Sequence, residues 1–105
     1  MQTPLIILVT TASKTEAEKI AQTLLQERLI ACANIVGPVS SHFIWEEKID
    51  CAEEFLMIMK SHRELFDRVV ERVKSLHSYK VPEVLALPIV AGSEKYLSWM
   101  DGVLK

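Results

Sequence analysis

Two stretches of this chain are apolar at consecutive positions instead of alternate ones. "PLIILVTTA" (Pro4 to Ala12) and the centre of "EEFLMIMK" (Glu53 to Lys60) read as strands that are apolar on both sides. A strand of that kind needs cover on both faces of its sheet. Whatever fold the chain adopts must supply one cover from its own helices and find a second.

The rest of the chain supplies helices for one face only. "SKTE" at Ser13 to Glu16 is a capping-box pattern, so a helix is expected from about Lys14 to Leu29. Ala17, Ile20, Ala21 and Leu24 form its apolar stripe, with Leu25 beside it. "ACANIV" predicts a short strand that Gly37-Pro38 breaks or bends. "VSSHFIWEEKI" (Val39 to Ile49) and "EEFLMIMK" pair as an antiparallel hairpin turning around Glu47 to Ala52. These arms are long for so small a chain. A second capping box, "SHRE", predicts a helix from Ser61, with Leu65, Val69, Val73 and Leu76 on one face. "EVLALPIVAG" (Glu83 to Gly92) is the last strand, and Pro88, which has no N–H to donate, puts it at an edge or a bulge. Ser93 caps a final short helix whose apolar face is Tyr96, Leu97 and Met100.

The order βαββαβ plus a terminal helix is the α+β, ferredoxin-like arrangement: an antiparallel sheet with both main helices on one face. At 105 residues the chain reads as one domain spanning 1–105. The other face stays apolar and open, which is an aggregation hazard in a monomer, so a partner subunit is the expected cover.

Several function classes are disfavoured. The formal net charge is −2 and no basic tract occurs, so a nucleic-acid footprint is missing. No apolar run approaches the roughly 20 residues of a bilayer span, and no signal peptide is recognisable. The expectation is a cytoplasmic protein in which Cys32 and Cys51 are reduced thiols. Metal chemistry has no local motif: His42, His62 and His77 are not paired at helical spacing, and none neighbours a cysteine. His42 and His62 read as surface or strand-flank residues, Cys32 as packing, and Cys51 as an exposed thiol near the hairpin tip. There is no nucleophile elbow and no phosphate-binding glycine loop, so no enzyme activity is expected.

Trp45 and Trp99 are expected at subunit contacts, since aromatics dominate interface cores. "HSYKVPE" (His77 to Glu83) links the second helix to the last strand. Pro82 forces Val81 into extended geometry, and Glu83 at the strand start is within reach of Lys60 or His77.

The motifs "ACANIVGPVSSHFIWEEKI", "EEFLMIMKS", "HSYKVPE", "ALPI" and "YLSWM", in this order, resemble the CutA-type divalent-cation tolerance proteins over nearly the whole chain. The resemblance implies a homotrimer in which hairpin arms wrap neighbouring subunits, tolerance to copper and other divalent cations, and no secure enzymatic reaction. No resident cofactor is implied; Cu(II) or another divalent cation is the species to be bound. His77 and Glu83 become metal-ligand candidates. Trp45, Lys60 and Tyr79 become residues of an inter-subunit cleft. The likeness of that trimer to PII signalling proteins offers an alternative: a sensor or scaffold for a small anion or a partner protein. Ser78 stands where the family has proline, and Glu47 where it has glycine. Thr10 and Leu76 occupy positions of proposed copper ligands, a cysteine and a histidine, which argues against tight copper binding.

Overall fold

A computed structural model describes residues 2–105. Its elements are β1 (Pro4–Thr11), α1 (Lys14–Gln26), β2 (Cys32–Trp45), β3 (Lys48–His62), α2 (Phe66–Leu76), β4 (Leu85–Pro88) and α3 (Glu94–Val103), with a 3-10 turn at Arg63–Leu65 leading into α2. The four strands form one antiparallel sheet in the order β2-β3-β1-β4. This is the expected α+β, ferredoxin-like fold, and β4 lies at the edge that Pro88 requires.

β1 alternates between buried and half-buried residues. Leu5, Ile7 and Val9 face the helices together with Met57 and Met59 of β3. They close a core with Ala17, Ile20 and Leu24 of α1 and Val69 and Val73 of α2. Burying each such side chain contributes roughly 1.5–3 kcal/mol. The other sheet face carries Ile6, Leu8, Leu56 and Ile58, which stay half-buried, and Leu85 and Leu87 of β4, which are 57% and 50% exposed.

Five boundaries differ from expectation. α1 ends at Gln26, not Leu29. Arg28 turns left-handed (φ 57°), and the Leu29 and Arg28 amides bond to the Leu24 and Leu25 carbonyls. This is the Schellman arrangement, with arginine where glycine is usual, and it swings Leu29 into the core. The Gly37-Pro38 segment does not divide the strand. β2 runs on through it as a bulge, Val36 facing Leu56 and Val39 facing Glu54, and the Gly37-Pro38 peptide is cis. A Cβ on Gly37 would come within 2.5 Å of the Phe55 ring, so the bulge closes only over a hydrogen.

The hairpin turn is the third correction. Trp45 pairs with Lys48, so the turn is Glu46-Glu47 alone, both left-handed (φ 51° and 66°). Two positive φ values make a type I′ turn, whose twist matches the flanking strands. The sequence lacks the usual Asn-Gly signal, which is why a longer loop is expected from it. The paired strands run to 14 and 15 residues and stretch the molecule to 44 Å.

The second capping box does not form. β3 continues to His62, and the Ser61 hydroxyl, fully buried, donates to the Leu29 carbonyl at 2.6 Å. The strand claimed Ser61 because its pairing with Leu5 extends the ladder. His62 is likewise not a surface residue: it is 2% exposed, with Nε2 2.8 Å from Asp101 of α3 and Nδ1 against Gln2. β4 covers Leu85–Pro88 instead of Glu83–Gly92. In α3 Met100 is buried, whereas Tyr96 is exposed and stacks at 5.4 Å on the equally exposed Trp99.

Candidate functional site

At the base of the arm, β2, β3 and the α2–β4 loop enclose a cleft of about 620 Å³. Alternation along the arm puts Phe43 and Trp45 on the cleft side, opposite Asp50 and Lys48. Glu54 enters from β3, Thr10 from β1, and Tyr79, Lys80 and Glu83 from the loop. Phe43, Trp45 and Val81 make its walls largely apolar.

The loop is set by hydrogen bonds that begin at His77. Its side chain is fully buried. Nε2 lies 2.7 Å from the Thr10 carbonyl, and Nδ1 is 3.0 Å from the Tyr79 amide. A carbonyl only accepts and an amide only donates, so the ring is neutral with its proton on Nε2. The Glu16 carboxylate lies 3.7 Å from Nδ1 and becomes an ion-pair partner only if that nitrogen gains a proton and releases Tyr79. Glu16 itself receives the Ser78 amide at 2.6 Å and the Ala12 amide at 3.3 Å. Burial pushes its carboxyl upward, but the Ser78 and Ala12 amides hold it below the usual range. The capping glutamate of α1 thus also anchors the start of the loop.

Tyr79 packs its ring at 4.7 Å on His77 and donates its hydroxyl to Glu54 at 2.6 Å. Burial first, then the Glu54 bond and charge, push the phenol up to about 12. Glu54 is 7% exposed and takes its hydrogen bond from the neutral Tyr79 hydroxyl on the loop. Glu83 stands exposed at the rim. Partial desolvation by the cleft wall raises its carboxyl, and the Glu54 charge raises it further.

Of the five residues singled out in the sequence, Trp45, Tyr79 and Glu83 meet in this cleft. His77 lies behind it, with both nitrogens engaged by backbone. Lys60 lies elsewhere on the open sheet face, bonded to Asn34 and paired with Cys32. Cys32 is not simply packed: its Sγ is 3.7 Å from the Tyr96 hydroxyl. Sequence reasoning missed Glu54, Phe43 and Lys80. Glu54 had one signal, a carboxylate adjoining an apolar strand, but only the packing of the α2–β4 loop against β3 brings the Tyr79 hydroxyl to it. Among the described residues, no group of three or more His, Cys, Asp or Glu side chains is placed to hold a metal ion, and no helix is long and apolar enough to cross a membrane.

The model of the CutA1 divalent ion tolerance proteins matches residues 5–103. The chain belongs to the CutA1 family. The divalent-cation tolerance protein CutA of Archaeoglobus fulgidus is 46% identical over 95 residues, spanning 90% of this chain and 92% of the relative. The chloroplastic CutA of Arabidopsis thaliana is 41% identical over 96 residues, and the chain spans only 53% of that longer protein. The crystal structure of CutA1 from Oryza sativa superposes with a TM-score of 0.96 at 38% identity, covering 99% of this chain and 95% of that one. The CutA1 fold is therefore the frame on which the cleft is built, and the family is named for tolerance of divalent ions, not for a reaction.

Proposed function

We propose that this chain serves divalent-cation tolerance as a homotrimer that binds a cation weakly and reversibly at clefts between subunits, without catalysis. The observation that carries this reading is the pair Glu54 and Glu83, two carboxylates on one cleft at the base of a protruding arm. The charge on Glu54 works against ionisation of Glu83, and a bound divalent ion would relieve that repulsion.

The donor set decides how tight such binding is. Carboxylate oxygens suit a hard or borderline ion. One chain offers two of them in the cleft, which is too few for a closed site. A neighbouring arm or loop would complete the set, and Cu(II) would be held weakly. Glu83 is the ligand in this proposal; His77 acts behind it by fixing Tyr79, which in turn holds Glu54. Support for the trimer comes from the apolar sheet face, where Leu85 and Leu87 are half exposed, and from the protruding arm of paired 14- and 15-residue strands. A cytoplasmic setting belongs to this reading, with Cys32 and Cys51 as free thiols.

Isothermal titration of Cu(II) into wild type, Glu83→Gln and His77→Ala tests the assignment. Loss of binding in Glu83→Gln supports it, and an unchanged isotherm removes Glu83 from the site. The rival reading, a PII-like sensor of a small anion or a partner protein, draws on Lys80 in the cleft and on the aromatic walls. Native mass spectrometry separates the two: a retained metal supports cation binding, a retained organic mass the sensor.

A further inference from the structure

The outer face of the arm carries a second arrangement of metal-binding side chains, independent of the cleft. His42 on β2 and Cys51 on β3 are direct cross-strand partners. Both are exposed, and Cys51 is a free thiol. We propose that His42 and Cys51 form a thiolate–imidazole site for a soft or borderline cation, Zn(II) or Cu(I).

Geometry supports the pair. Directly opposed residues in an antiparallel ribbon hold their Cβ atoms about 4.5–5.5 Å apart on the same face. A metal–sulfur and a metal–nitrogen bond together span about 4.4 Å. His42 borders the cleft, but its ring lies beside Ser40, two residues back on the outer face, with Nε2 3.0 Å from the Ser40 hydroxyl. When that hydroxyl accepts from Nε2–H, the tautomer is set and the Nδ1 lone pair is left for a ligand. At Cys51 the Asp50 carboxylate accepts the backbone amide at 2.7 Å and steadies the strand.

The surroundings favour a cation. Residues 46–54 contain five carboxylates and one lysine. Glu53 faces Ser40 across the ribbon, on the same side as the pair. Ile44 and Ile49, the next pair toward the tip, are 76% and 85% exposed. Two protein ligands leave coordination positions for water or for a group from a neighbouring molecule, as in an exchangeable carrier site and not a closed structural one. Thiolate and imidazole select against the hard ions that carboxylates prefer, so this site and the cleft take different cations.

Cd(II) is the probe, because a cadmium–thiolate bond brings a ligand-to-metal charge-transfer absorption that carboxylates do not. The reduced protein titrated with Cd(II) is expected to develop this band at one equivalent per chain and to lose it to competing Zn(II). Cys51→Ser abolishes the band, His42→Ala weakens binding at least tenfold, and Cys32→Ser leaves the band unchanged. A band that survives in Cys51→Ser, or wild-type affinity in His42→Ala, overturns the site. Both substituted positions are exposed, and far-ultraviolet circular dichroism checks that the fold is kept.

Discussion

The Tyr79 hydroxyl donates a 2.6 Å hydrogen bond to Glu54 Oε2, tying the α2–β4 loop to β3 where the arm leaves the core. Glu54 is buried, so removing the hydroxyl leaves a carboxylate short of a partner. Tyr79→Phe is expected to lower stability by about 1–3 kcal/mol, measured by urea unfolding at neutral pH. Pairing it with Glu54→Leu should recover part of that loss, because both polar partners are then gone.

The same bond gives an alkaline limit. The Tyr79 phenol is raised from 10 to about 12 in the folded protein. Below pH 10 it is protonated in both states, and its contribution is fully present. As pH rises from 10 to 12 the unfolded chain ionises first and unfolding becomes easier. Thermal melts across this window should show a decline that is shallower in Tyr79→Phe, and ultraviolet titration should lose its highest tyrosine transition.

Glu16 works at the acid end. Its carboxyl is held low by the Ser78 and Ala12 amides. The stability it contributes is present above the unfolded value of 4.5 and is lost as pH falls through the lower folded value. Glu16→Gln should flatten the slope of stability against pH below 4.5. It should also speed hydrogen exchange at Ser78, whose amide loses a charged acceptor.

Glu47 occupies the left-handed region at φ 66°. A non-glycine residue there costs roughly 1–2 kcal/mol. Glu47→Gly should therefore slow amide exchange in the outer arm and raise the unfolding midpoint, with the larger effect on the arm. A fall in both would mean that the carboxylate makes contacts that outweigh the backbone gain.

The apolar sheet face sets a further test. Leu87→Lys places a charge beside Ile6, its partner on β1. If copies close over this face, sedimentation equilibrium at micromolar concentration should shift from trimer toward monomer. An unchanged mass would show that assembly does not use this face.

Much of the architecture was legible because its signals are local. The stripe Ala17-Ile20-Ala21-Leu24, the cap at Ser13 and the edge proline at Pro88 each report within a few residues, and each stands in the structure as read. The ordered motifs around Trp45, His77 and Tyr79 also identified the family. Errors arose where distant partners compete for a residue. Ser61 looked like a helix cap but extends the ladder with β1 and serves the Leu29 carbonyl. His62 looked like a flank residue until α3 folded back and set Asp101 against it.

By itself the sequence determined which segments become strands and helices, because period and capping are properties of neighbours along the chain. Only the tertiary structure decided what Glu54 meets, since that depends on the α2–β4 loop bringing the Tyr79 hydroxyl to β3. The role of His77 was decided the same way: its ring nitrogens were free on paper until β1 and the loop brought Thr10 and Tyr79 to them. Register and side-chain protonation are set by contacts between segments far apart in the chain, and these have no periodic trace in the sequence.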